Sequence, residues 1–133
     1  MQLLGLVLGA CCGGARADVV AVVSSKSAIT ALSIDQVADI FLGRLSHFPN
    51  GALAVPIDLN DGSLERDRFY AKVARKTPAQ IKSYWSKIIF TGRGQPPKTV
   101  PSDADMKKYI AANVAAIGYI EESMVDASVR VLN

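Results

Sequence analysis

The residues best suited to chemistry in this 133-residue chain are Asp61, Gly62 and Ser63, with Arg66 one turn further on. Asn60, Asp61 and Gly62 are typical of a turn, and serine is favoured at a helix N-cap. The first amides of a helix lack partners within it, and the helix dipole favours negative charge there. Glycine permits close approach of a ligand, and the serine hydroxyl adds a donor. This pattern predicts a site for a small anion, with Arg66 as a compensating cation.

Glu65 leaves a second interpretation open. An ionised carboxylate can only accept hydrogen bonds. Two unit charges about 4 Å apart interact by about 1 kcal/mol in water, and by about 4 kcal/mol at an effective dielectric near 20. A carboxylate in the first turn of a helix is also favourable with the dipole. The segment is therefore equally explained as a helix capped by its own residues, with Arg66 on an exposed charged face.

Ser24 and Ser25 complete the candidate anion site. They follow the first predicted strand, and ligand groups often lie at such positions in open α/β sheets. Serine is also common in ordinary turns, so the pattern alone is weak. Arg93, in a glycine-rich loop, is a further cation within reach of an anion.

The chain offers few groups for catalysis. Its single histidine, His47, falls in a turn, where we expect it to be solvated. The acidic pairs are Asp103 with Asp105 and Glu121 with Glu122. Their spacing does not make the two carboxylates of a pair face each other as acid–base chemistry requires. Dinucleotide, P-loop and Cys/His metal motifs are absent from the sequence. We therefore expect a protein that is not an enzyme, with neither cofactor nor metal.

The charge balance argues against nucleic acid as a partner. Fifteen Lys and Arg residues against twelve Asp and Glu residues give a net charge of +3. Acids stand among the cations, as in the run Arg66, Asp67 and Arg68. A nucleic-acid-binding protein usually has a denser basic stripe with interleaved aromatic residues. These charges are interpreted as solvated helix faces.

The elements that position these residues alternate between strands and helices, which favours a mixed sheet covered by helices. Strands are predicted at residues 18–24, 52–59, 115–120 and 128–132. The first has a β-branched run typical of a strand buried on both faces, and Pro56 places the second near an edge or a bulge. Helices are predicted to start after Ser33, Ser63, Thr77 and Ser102, four favoured N-cap residues. Gly43 is expected to end the first helix, and Ile81, Tyr84, Trp85, Ile88 and Ile89 to form the apolar face of the third.

Residues 1–17 differ from the rest of the chain. The run from Met1 to Gly14 is uncharged and apolar, and Ala15-Arg16-Ala17 forms an A-x-A cleavage pattern. This composition predicts a secretory signal peptide followed by one domain at residues 18–133, and hence a periplasmic protein. Two alternatives stay open. Residues 8–11 could instead be a lipoprotein processing box with Cys11 lipidated, or the segment could be a buried N-terminal strand.

Several local patterns, in order, resemble a known family. Residues 32–44, with Leu32-Ser33 and Ile40-Phe41-Leu42-Gly43, are similar to a segment of phosphate-type periplasmic substrate-binding proteins. Asp61-Gly62-Ser63 with Phe69 resembles their phosphate loop and the helix that follows it. Trp85, residues 90–92 and residues 116–120 match later landmarks of the same lobe. The resemblance covers residues 19–132 and implies one three-layer lobe of a type II periplasmic-binding-protein-like fold.

The resemblance also implies a function and shows where this chain departs from the pattern. The implied role is that of an extracytoplasmic binding module for phosphate or another small oxyanion. A membrane permease, or a second chain supplying the missing lobe, would be its partner. Leu59, Leu64 and Glu65 stand where the family has arginine, glycine and threonine, so weak or altered binding is expected. The alternative is a periplasmic interaction or structural module that kept the fold and lost the ligand. The sequence leaves open the ligand, the oligomeric state, the second lobe and the true start codon.

Overall fold

The structure is a computed structural model that describes residues 18–132. The predictions made for residues 1–17 therefore lie outside the described residues. The β-strands are β1 (Val19–Ser24), β2 (Val55–Leu59), β3 (Lys98–Val100), β4 (Ala116–Glu121) and β5 (Val129–Val131). The α-helices are α1 (Ile34–Phe41), α2 (Leu64–Val73), α3 (Pro78–Phe90) and α4 (Asp103–Ala112), and a 3₁₀ turn covers Glu122–Met124. No helix among these residues is both long and apolar enough to cross a membrane.

The strands form one mixed sheet in the order β3-β2-β4-β1-β5. Strand β2 pairs in parallel with β3 and β4, whereas β1 pairs antiparallel with β4 and β5. In the β1–β4 register, Val19 lies opposite Glu121 and Val23 lies opposite Ile117. The start of β1 and the end of β4 therefore meet at the same edge of the sheet.

Helices cover both faces of this sheet, as adjacent residues of β4 show. Neighbouring side chains in a strand point to opposite faces. A Cβ added to Gly118 would lie 2.5 Å from the Sδ of Met106 in α4. The ring of Tyr119 stacks instead on Phe69 of α2, with ring centroids 4.0 Å apart. Helix α4 therefore packs on one face and α2 on the other, which confirms the predicted three-layer arrangement.

The predicted helix starts are confirmed. Ser33, Ser63, Thr77 and Ser102 each accept a hydrogen bond from the backbone amide three residues further on. This satisfies one of the donors left free at each helix start. Gly43 follows α1 with φ +77°, the left-handed conformation that favours glycine after a helix.

Two details differ from the sequence predictions. Strand β3 was not predicted, because three residues between Pro97 and Pro101 carry too short a pattern to be recognised. The position of β2 agrees with the prediction from Pro56, because β2 lies next to the edge strand β3 and the pairing with β3 begins only at Ile57, after the proline. Ile89 is 54% exposed and does not belong to the buried face of α3.

Candidate functional site

The start of α2 is built as the sequence predicts. Gly62 has φ +89°, which turns the chain into the helix, and a Cβ placed there would meet only open space. The amide of Ser63 donates to the carbonyl of Asn60 (3.1 Å). The hydroxyl of Ser63 accepts a hydrogen bond from the Arg66 amide at 3.2 Å. One of the free amides expected at this helix start is therefore satisfied by the cap itself.

Glu65 accepts the hydrogen bond that the Ser63 hydroxyl donates. The Ser63 Oγ donates to Oε1 of Glu65 at 3.2 Å. This hydroxyl therefore acts as acceptor and donor within its own turn, as the self-capping interpretation requires. An incoming oxyanion would have to displace the carboxylate to receive a hydrogen bond from Ser63.

A cleft of about 410 Å³ lies beside this turn. Its lining joins the start of α2, the start of α4 and the end of β4; the lining residues are Leu59, Ser63, Glu65, Pro101, Ser102, Asp103, Glu121 and Met124. The caps of two helices thus border one concavity. The two helix dipoles favour negative charge in this cleft.

Three carboxylates oppose that potential. Oxygens of Glu65, Asp103 and Glu121 all lie within 4.8 Å of one another. The pKa of Asp103 is raised, because burial disfavours its charge and Glu65 repels it, although the Glu121 amide donates to it at 3.0 Å. In the sequence Asp103 is paired with Asp105 and Glu121 with Glu122, and no local pattern predicts that Asp103 and Glu121 lie close to Glu65.

Arg66 does not line this cleft. Its guanidinium forms ion pairs with Asp58 (Nε to Oδ1, 3.3 Å) and Asp61 (Nη1 to Oδ1, 3.2 Å). It also lies over the ring of Tyr70, 5.3 Å from the centroid. The expected compensating cation is therefore already engaged with two acids of its own chain.

Asp58 is the centre of a buried network that the sequence did not suggest. It is 2% exposed and accepts hydrogen bonds from the hydroxyls of Tyr70 (2.6 Å) and Tyr119 and from the amide of Leu59 (2.9 Å). Burial, and then the charge of Asp58, raise the pKa of Tyr119 far above its usual range. Because both tyrosines stay protonated donors, this network fixes the end of β2 and the turn that follows it.

Ser24 and Ser25 are not near the cleft. Ser24 is buried, and its hydroxyl donates to the carbonyl of Ala111 (3.2 Å) while accepting from the Lys26 amide (3.1 Å). The amide of Ser25 donates to the carbonyl of Ser128. The β1–β4 register places them at the opposite edge of the sheet from Glu121, because Ser24 lies five residues, or about 17 Å along the strand, from Val19, the partner of Glu121. The structure therefore does not bring these serines together with Asp61, Gly62 and Ser63.

Arg93 and His47 also lie away from the cleft beside Ser63. Arg93 is exposed in the loop after α3 and does not border the cleft. His47 is exposed, with its Nδ1 3.0 Å from the hydroxyl of Ser46. Neither residue contributes to the arrangement around Ser63.

Comparisons with known proteins show the fold. No family model matches the chain, and no curated protein matches it. Among solved structures, a protein described as a phosphate ABC transporter substrate-binding protein from Clostridium perfringens, with bound phosphate, matches with a TM-score of 0.70 and 22% identity. An ABC-type phosphate transport receptor from Vibrio cholerae matches with a TM-score of 0.68 and 19% identity, and PstS from Borrelia burgdorferi with 0.62 and 16%.

These matches cover 87% of this chain but only 44%, 45% and 46% of the three solved chains, in the same order. The chain therefore has the mixed α/β fold of part of a phosphate-type substrate-binding protein, and it spans less than half the length of those proteins. The expected fold class is confirmed.

Proposed function

We propose that this chain is an extracytoplasmic binding module built like one lobe of a phosphate-binding protein, with weakened recognition of small oxyanions. Three features support the proposal: the fold, a cleft at the caps of two helices, and the carboxylates that line this cleft. The matched proteins are named for phosphate, and the helix caps of α2 and α4 offer the same kind of environment to an anion. The ligand class proposed is therefore phosphate or a similar small oxyanion, which the chain binds without changing it chemically.

The observation that carries the proposal is the hydrogen bond from Ser63 to Glu65. This bond occupies the Ser63 hydroxyl as a donor and holds the Glu65 carboxylate where the ligand would lie. Repulsion of about 1 kcal/mol in a water-like medium, and more in a drier one, offsets what a few amides can provide. Weak binding is the direct consequence, and so is its recovery when the charge is removed.

Calorimetric titration of the protein with phosphate and with sulfate at low salt tests this idea. We expect Glu65→Gln to bind at least about fivefold more tightly than the parent chain, because 1 kcal/mol corresponds to about that factor. Asp67→Asn is the matched control, since it removes one carboxylate from the same turn of α2 without altering the lining of the cleft. Equal affinities for the two variants would refute the proposed site.

A second candidate function is an interaction or structural module that retained the fold without the ligand. The satisfied hydrogen bonds of Ser63 favour it, because the turn needs no anion to be complete. In this case neither the parent chain nor Glu65→Gln would release heat with any anion. Transport in the manner of the matched proteins would further require a counterpart of the rest of their length, which this sequence does not match, and a membrane permease.

A further inference from the structure

The end of α3 presents apolar side chains to solvent. Phe90, the last residue of the helix, is 92% exposed, and Ile89 before it is 54% exposed. Lys82, Ser86 and Phe90 follow one another at four-residue spacing and therefore share one side of the helix. An exposed phenylalanine forgoes a large part of the hydrophobic free energy that it could gain by burial. Such a group on a surface points to a contact with another molecule.

The stretch of chain that contains Phe90 carries only positive charge. Residues 68–102 contain no Asp or Glu, but they contain eight cationic side chains, which are Arg68, Lys72, Arg75, Lys76, Lys82, Lys87, Arg93 and Lys98. The expectation that acids are interspersed along the chain is wrong for this stretch. Lys82, Lys87 and Arg93 are exposed, and none of the three forms an ion pair with a carboxylate within residues 18–132.

Two concavities flank the exposed apolar residues. One, of about 260 Å³, is bordered by Ile89, Pro96, Lys82 and Trp85 among others. Its lining also includes Asp58 and Asp61, but both acids are ion-paired with Arg66. A second, of about 450 Å³, is bordered by Ile89, Pro96 and the glycines of the following loop. Pro96 borders both concavities and Pro97 borders the smaller one, and the two prolines limit the backbone freedom of these walls. The two concavities can receive side chains, which a flat charged surface cannot do. The larger concavity shares no lining residue with the cleft beside Ser63, and the smaller one shares only Leu59 with it.

We propose that this surface, formed by Lys82, Lys87, Ile89, Phe90, Arg93 and Pro96, docks an acidic segment of a partner protein that carries apolar side chains. Carboxylates of the segment meet Lys82, Lys87 and Arg93, and its apolar side chains cover Phe90 and enter the concavities. Charge complementarity selects the sign of the partner and sets its orientation. The concavities favour a protein segment over a lipid surface, because a bilayer has no shaped side chains to place in them. This docking is independent of anion binding at Ser63.

The test uses the whole protein and a fluorescent synthetic peptide that alternates glutamate with leucine and phenylalanine. Fluorescence anisotropy measures its affinity, and the emission of Trp85, the single tryptophan, reports occupation of the smaller concavity. We expect Phe90→Ser and Ile89→Ser each to weaken binding by about tenfold, the loss of one buried apolar side chain. Leu53→Ser is the matched control, because Leu53 (53% exposed) is about as exposed as Ile89 and lies outside the proposed surface. This variant should bind the peptide as the parent chain does.

The charge requirement is tested in the same assay. Lys87→Glu should weaken binding, whereas Lys108→Glu, an exposed lysine on α4, should have a clearly smaller effect. Saturating phosphate should leave the peptide affinity unchanged, which separates this surface from the cleft. Three results would overturn the proposal: no peptide binding, equal binding by Phe90→Ser and Leu53→Ser, or stronger Phe90-dependent binding to phosphatidylglycerol vesicles or to an oligonucleotide than to the peptide.

Discussion

The carboxylate of Asp103, the first residue of α4, accepts a hydrogen bond from the backbone amide of Glu121 at the end of β4, 3.0 Å away. This bond joins a helix start to a strand end across the cleft. It also holds Asp103 close to Glu65, in spite of their like charge. The acidic character of the cleft is therefore fixed by the packing of α4 on the sheet.

This arrangement predicts a pH dependence of stability. The raised pKa of Asp103 means that the folded state binds its proton more tightly than the unfolded chain does. The free energy of unfolding should therefore fall as the pH rises from the ordinary carboxyl range through this raised pKa. Asp103→Asn keeps an acceptor for the Glu121 amide but cannot ionise. Urea unfolding across the acidic range should show a shallower fall for this variant, and parallel curves would contradict the assignment.

Ser63 should matter for stability whether or not a ligand binds. Ser63→Ala removes the acceptor for the Arg66 amide, and loss of an N-cap costs about 1 kcal/mol. The free energy of unfolding from urea titration measures the loss. Ser83→Ala, at an exposed position inside α3, serves as the control and should change stability little. A loss no greater than that of the control would show that the cap contributes nothing.

The buried network around Asp58 should be sensitive to the removal of one hydroxyl. In Tyr119→Phe the ring still stacks on Phe69, but Asp58 and the Leu59 amide each lose a partner. A buried hydrogen bond contributes about 0.5–1.5 kcal/mol, so the loss of these two should cost about 1–3 kcal/mol. Thermal and urea unfolding should show this decrease, whereas Tyr109→Phe, on the partly exposed side of α4, should not. Equal stability of the two variants would mean that Asp58 does not depend on these donors.

Gly118 should not tolerate a side chain. A Cβ there would lie 2.5 Å from Met106 Sδ and 2.9 Å from Ile110 Cδ1. Overpacking of this kind costs about 1–3 kcal/mol, which exceeds the usual benefit of alanine over glycine in a strand. Gly118→Ala should therefore lower the unfolding midpoint, and shortening Met106 to valine in the same chain should recover part of the loss. Gly94→Ala is the control, because a Cβ at Gly94 would lie 3.6 Å from Cγ2 of Ile88, an ordinary contact distance. This variant should not lower the midpoint in the same way.

Features that depend on neighbouring residues could be predicted from the sequence. The caps at Ser33, Ser63, Thr77 and Ser102 and the end of α1 at Gly43 follow from hydrogen bonds and dihedral angles that span only a few residues. Possible repulsion by Glu65 was also foreseen, because that residue stands in the same turn as Ser63.

Features that depend on tertiary contacts could not be predicted. Asp58 meets Tyr70 and Tyr119, which are 12 and 61 residues away in sequence. The separation of Ser24 from Ser63 follows only from the order and direction of the strands. The acidic cluster likewise requires knowing that α4 and the end of β4 converge on α2.

The position of β1 between β4 and β5 has a consequence for how the chain acquires its structure. Strand β1, the first strand among the described residues, has both of its neighbours among residues 116–131, so it stays unpaired until those residues have been synthesised. The paired residues are 94 to 109 positions apart in the sequence, and such long-range pairing is typical of slow folding. Until then, both edges of a strand with five apolar residues and a serine are open to other chains, so we expect folding to compete with aggregation before this strand is paired.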